Sequence, residues 1–225
     1  MNKEITSLIL KAYNIYKKEC LQKEFLYIFK NKNKIEGISI EFSMNNFIHL
    51  TGIKNYNKKN MLYKLKNNEI SSEKIFVDKF TFLKLYNFEK MIEILKNNNL
   101  YISEHDSKKS IKLIVDKLVG NENVTLGIGQ NKIVGKYFPK SFLIESITTR
   151  SKEENIYKVE AIFCKNVKEE KFTNFTYINN NMLKTLINNE DFKEVVDEKL
   201  YKKLVIKIEK ITTEKSKEID DDFER

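Results

Sequence analysis

Tyr157-Lys158-Val159-Glu160-Ala161-Ile162-Phe163-Cys164-Lys165 is the stretch on which the fold turns. Tyr157, Val159, Ala161 and Phe163 recur at every second position, which places them on one face of an extended chain, as a half-buried antiparallel strand requires. Further strand candidates flank it: Ile111–Val115, Val124–Ile128 and Ser141–Thr149 before it and Lys171–Ile178 after it, linked by polar turns. Nearer the N-terminus, Phe25–Phe29 and Gly37–Phe42 surround the turn-like Asn31-Lys32-Asn33-Lys34, and Ile38 and Ile40 alternate with polar neighbours. That pair reads as a β-hairpin.

Outside these runs the apolar period changes from two to three-and-four. Ile5, Leu8, Ile9, Ala12, Tyr13, Tyr16 and Cys20 form the stripe of an amphipathic helix docked on a core. Asn45–Lys66 is helical in short pieces, and Phe80–Lys96 reads as a longer helix ended by Asn97-Asn98-Asn99. Phe192, Val195, Val196, Leu200, Leu204, Ile208 and Ile211 give another helical stripe near the C-terminus. The order is N-terminal helices, a mostly antiparallel β-sheet, then a C-terminal helix, and it predicts an α+β fold. Residues 1–190 are expected to form a single α+β domain, 191–213 a docked C-terminal helix, and 214–225 a frayed acidic tail. No repeat and no Pro- or Gly-rich linker divides the chain.

The chain carries 41 Lys and Arg against 32 Asp and Glu, a formal charge of +9 with a pI near 9.2. The excess is spread along its length, and such a field attracts phosphate backbones and anionic lipids alike. A genome that favours Lys at exposed positions would produce the same charge, so charge alone decides little. Cys20 and Cys164 have no CxxC spacing and no surplus of histidine beside them, so neither a metal site, a cofactor nor a disulfide framework is expected. Lys3, Glu4, Lys11 and Lys17 interrupt the first apolar stretch. That excludes the continuous core of a signal peptide or membrane span, and a cytoplasmic protein without membrane contact is expected.

Asn46-Phe47-Ile48-His49-Leu50-Thr51-Gly52-Ile53 sets one of only two histidines among apolar residues, just before a glycine that can end a helical turn. Imidazole exchanges protons near neutral pH, so His49 is a candidate for acid–base chemistry; the structural alternative is a ring at the core edge, satisfied by a backbone carbonyl. Phe47-Ile48-His49-Leu50-Thr51-Gly52 resembles the F-x-H-L-T-G signature of a phage-associated nuclease family in the superfamily of barnase, EndoU, colicin and RelE ribonucleases. The surrounding order is similar too. An I-x-F segment is matched by Ile40-Glu41-Phe42, a helical T-x-x-K by Thr81-Phe82-Leu83-Lys84, and a P-x-S step into a strand by Pro139-Lys140-Ser141, over roughly Phe25–Ile178.

The resemblance implies a nuclease-like domain that cleaves RNA without a metal, in which the ribose 2′-hydroxyl attacks the adjacent phosphate. Such a reaction needs a base, an acid and a cation that steadies the phosphorane. His49 would be the proton-transfer residue and Lys84 the cation. At ~100° per residue Lys84 lies roughly 80° from the centre of its helix's apolar face, where it borders the core and reaches over a cleft. Tyr177 and Ser141 rank first among the strand hydroxyls that could hold the scissile phosphate, ahead of Ser146, Thr148, Thr149 and Thr176. His105, in Ser103-Glu104-His105-Asp106-Ser107, reads as a solvated turn residue.

Gly127-Ile128-Gly129 lacks the spacing of a phosphate-cradling loop and reads as a bulged hairpin. Lys136-Tyr137-Phe138 and Lys171-Phe172-Thr173-Asn174-Phe175 interleave cations with rings, so Lys136, Tyr137, Lys171 and Phe172 are candidates for phosphate contact and base stacking. An edge strand that buries alternate aromatics would give the same pattern. RNA is the expected partner. The competing function is a non-catalytic phage protein on the same scaffold that binds and inhibits an RNA-processing or RNA-guided defence nuclease.

Overall fold

The computed structural model describes residues 3–54, 58–67, 69–70, 75–109 and 113–223. Helix α1 (Lys3–Glu19) leads into a hairpin of β1 (Lys23–Asn31) and β2 (Lys34–Phe42), followed by the short helices α2 (Met44–Thr51), α3 (Lys58–Lys66) and α4 (Lys79–Tyr86). A 3-10 turn, Phe88–Ile92, joins α4 to α5 (Glu93–Lys96). Then come β3 (Tyr101–His105), β4 (Lys117–Gly120), β5 (Thr125–Gln130), β6 (Tyr137–Leu143), the long β7 (Ser151–Asn166) and β8 (Asn174–Ile178). Helices α6 (Asn180–Ile187), α7 (Glu190–Val195) and α8 (Glu198–Phe223) close the chain.

The strands lie in the order β1-β2-β6-β5-β4-β3-β7-β8, and β7 also pairs with β1. Because β7 meets β3 through Ser151–Lys158 and β1 through Val159–Asn166, the order runs round in a circuit. Every pairing of these strands is antiparallel except β2 with β6, which touch at Ile40 and Tyr137. The fold is α+β, with a mixed sheet between an N-terminal and a C-terminal helix. No described helix is long and apolar enough to cross a membrane.

Alternation along the strands builds two cores. Phe25, Tyr27 and Phe29 of β1 point to the side covered by α1, α2 and the 3-10 turn, while Ile28 points to the side covered by α6, α7 and α8. The first core is aromatic at its centre: Phe47 packs 5.5 Å from Tyr16 and 5.7 Å from Phe88, which lies 6.0 Å from Phe142. Offset and edge-on ring pairs of this kind add stability beyond the area they bury.

Several expected elements differ. Phe80–Lys96 is broken, because the Asn87 side chain donates 3.0 Å to the Leu83 carbonyl and α4 ends at Tyr86. The strand expected over Ser141–Thr149 ends at Leu143, and Ile147–Thr149 is a 3-10 turn capped by Ser146. The strand expected from Lys171 starts at Asn174. The C-terminal stripe is two helices, and helical backbone continues past 213 to Phe223. Of the strand expected over Ile111–Val115, positions 111 and 112 lie outside the described residues and 113–115 are not strand. Strands β3 and β4 occupy positions that the sequence reading left as loop.

Candidate functional site

The F-x-H-L-T-G segment forms α2, and most of its residues are spent on holding that helix in place. Phe47, Ile48 and Leu50 are buried in the first core. Thr51 is fully buried and donates from Oγ1 to the Phe47 carbonyl at 2.9 Å. Gly52 ends the helix at φ +74°, a conformation that costs an L side chain, and its N–H returns to the Ile48 carbonyl. His49 is the one side chain of the motif that is exposed.

Both ends of α2 are pinned. At the N-terminus the buried Asn46 accepts from the Ser43 N–H at 2.7 Å and donates 3.1 Å to the Pro139 carbonyl of β6. At the C-terminus the buried Thr81 of α4 donates 3.0 Å to the Gly52 carbonyl. A β-carbon on Gly52 would stand 3.3 Å from Thr81 Oγ1 and 3.9 Å from Lys84 Nζ. The fold therefore brings Lys84 against the end of the helix that carries His49, one turn beyond the threonine that locks the contact. Carbonyls at a helix C-terminus favour a cation there.

Lys84 is half-buried, and that burial lowers its proton affinity, while the carboxylates of Asp78 and Glu145 pull it back up. Asp78 caps α4 by accepting from the Thr81 N–H at 2.8 Å; that bond, with help from Lys54, holds its carboxyl below the usual range. Glu145, in the turn after β6, is bound by Arg150 through Nε and through a second guanidinium nitrogen at 3.3 Å. This two-point pairing is the geometry in which a guanidinium fixes an oxyanion. Sequence reading passed over Glu145 and Arg150, and one signal was available: Arg150 is one of two arginines among 41 basic residues.

The two first-ranked hydroxyl candidates lie on strands β6 and β8. Ser141 pairs across the sheet with Gly127, whereas its neighbours Phe142 and Leu126 pair within the first core, so Ser141 faces the side away from α2. Tyr177 sits on β8, which pairs with the stretch of β7 that also meets β1, and packs against the first core. Burial first and Glu160 second raise its proton affinity.

Among the nucleic-acid candidates, Lys136 is bound at 2.7 Å to the buried Glu24 and at 3.5 Å to Glu41. Tyr137 is half-buried against the first core. Lys171 is exposed. Phe172 is corrected outright: it is 6 % exposed in the second core, with Lys165 Nζ 5.0 Å from its ring centroid, and offers no face to a base. Its backbone bridges Val196, which draws the ring under the C-terminal helices.

His105 closes β3 rather than standing in a solvated turn, opposite Ser151. Its Nε2 is buried and finds no hydrogen-bond partner among the described residues. Burial, then the charge of Arg150, lower its proton affinity against the pull of Asp106. Among the described residues no three His, Cys, Asp or Glu side chains are grouped to hold a metal ion.

A family model described as phage-Barnase-EndoU-ColicinE5/D-RelE like nuclease 4 matches residues 8–181. That span runs from within α1 into the start of α6 and includes all eight strands. No curated protein and no solved structure matches the chain.

Proposed function

Because the chain belongs to the phage-Barnase-EndoU-ColicinE5/D-RelE like nuclease 4 family, we propose that it is a ribonuclease effector of a phage or other mobile element that cleaves RNA by attack of the 2′-hydroxyl on the adjacent phosphate, without a metal. His49 carries one of the two proton transfers, from the attacking 2′-hydroxyl or to the leaving 5′-oxygen, and water carries the other. Lys84 meets the charge that gathers on the phosphorane oxygens. The observation that carries this reading is the placement of His49 on the open side of a helix locked at both ends, with Lys84 held at that helix's C-terminus by Thr81. A proton-transfer group and a cation on rigid neighbouring elements supply two of the three roles the reaction uses, base, acid and cation.

The test is the chemistry of the products. RNA incubated with the purified protein in the presence of a chelator should yield 2′,3′-cyclic or 3′-phosphate ends and 5′-hydroxyls, and DNA of the same sequence should remain intact. Equal cleavage of DNA, or 5′-phosphate products, would contradict it.

One observation favours a second reading, a non-catalytic protein that occupies a host RNA-processing or defence nuclease: Ser141 faces the side of the sheet away from α2, which leaves the set of proton-handling groups short. Such a protein would keep its effect on that nuclease when His49 is replaced.

A further inference from the structure

Phe76 and Phe80 are 62 % and 74 % exposed, and neither ring belongs to either hydrophobic core. Both stand beside the locked turn. Lys54, two residues after Gly52, bridges to Phe76 through the backbone, and its ammonium lies 5.9 Å from the Phe76 ring centroid. Phe80 precedes Lys84 by one turn of α4, a spacing that makes two side chains neighbours on a helix surface. Asp78 between the two rings caps α4 and meets Lys54 at 3.2 Å. Two ammonium groups therefore flank two rings along one rim, Lys54, Phe76, Phe80, Lys84, next to the end of the helix that carries His49.

We propose that Phe76 and Phe80 form a stacking platform for unpaired bases beside His49, which makes single-stranded RNA the substrate class and not duplex. The inference rests on the nuclease reading for its setting. Adjacent exposed rings flanked by cations suit a strand whose flat bases can stack while its phosphates meet positive charge, and the chain's net charge of +9 has the sign to draw such a strand in. In a duplex the base faces are stacked on one another and closed to the rings. Stacking is indifferent to base identity, so the platform predicts weak sequence preference. A protein partner would instead cover the outer side of α4, including Leu83 and Tyr86, which are 45 % and 68 % exposed.

The probe is a fluorescent, mixed-sequence 2′-O-methyl RNA of about 12 nucleotides, a length suited to one binding face. It has no 2′-hydroxyl and cannot be turned over. Phe76→Ala and Phe80→Ala should each weaken single-strand binding by roughly tenfold while binding of the matching duplex stays within about twofold, and Phe80→Trp should bind like the parent. The melting temperature should not move, since both rings are in water.

Single-strand binding by the double alanine variant within about twofold of the parent, or equal losses on single strand and duplex, overturns the platform. So does loss of a self-association or partner complex with RNA binding unchanged, which assigns the rings to protein contact. No outcome depends on turnover, so the two readings fail separately. His49-dependent cleavage with ring-independent binding contradicts the platform alone; ring-dependent binding by a parent that cuts no RNA contradicts the nuclease alone.

Discussion

Gly52 shows how one residue sets the candidate site. Its φ of +74° closes α2, and the space a β-carbon would need is taken by Thr81 Oγ1 at 3.3 Å. Gly52→Ala should cost about 1–2 kcal/mol from the left-handed backbone alone, read as a lower melting temperature, and it should reduce activity further by pushing Thr81 and Lys84 away. An unchanged melting temperature would mean that the turn relaxes freely. His105 acts through protons. Its folded-state proton affinity lies below the ordinary value of 6.5, so the unfolded chain binds the proton more readily. No penalty exists well above pH 6.5; it grows as pH falls from there towards the folded value. Denaturant unfolding from pH 8 to 5 should show a decline in stability that His105→Gln flattens, and parallel curves for the two proteins would refute this assignment.

At the scale of elements, α2 was legible because its apolar residues have helical spacing and a glycine marks its end. Its flanking contacts were not, since Asn46 to Pro139 and Gly52 to Thr81 join segments 93 and 29 residues apart. Strand β3 was missed because Tyr101-Ile102-Ser103-Glu104-His105 buries Ser103 beside Ile102, which blurs the alternation. Strand β4 has only four residues and ends in Gly120. Arg150 escaped notice because it lies in a turn, where no periodicity points to a side chain. The ring of Phe172 misled for a different reason: alternation of Lys and Phe looks the same whether the rings face solvent or a covering helix, and α7 and α8 do the covering. Phe172→Ala should therefore cost about 3–5 kcal/mol of stability while leaving RNA affinity per folded molecule unchanged; a stable variant with weakened RNA binding would reinstate Phe172 as a stacking residue.

At the scale of the molecule, the sheet separates two kinds of surface. One side carries α2 and α4, with His49, Lys84, Glu145 and Arg150 around their junction; on the other, Glu24 is buried under Lys136 and Lys165, at 2.7 and 3.8 Å, on the face of β1 that also carries Ile28 of the second core. Burial alone would raise the Glu24 carboxyl, but its hydrogen bonds from Lys136 and Ser39 and the charge of Lys165 outweigh it, so this cluster is internally neutralised and does not advertise for phosphate. Lys84, by contrast, stands against the end of the helix that carries His49. Single-turnover cleavage of a single-stranded RNA by the parent and by His49→Ala, at matched melting temperature, measures whether that imidazole does the chemistry. The rate should fall by about 10²–10⁴-fold, the range for losing a proton-transfer group; equal rates for the two proteins would contradict the assignment of His49 and the nuclease mechanism built on it.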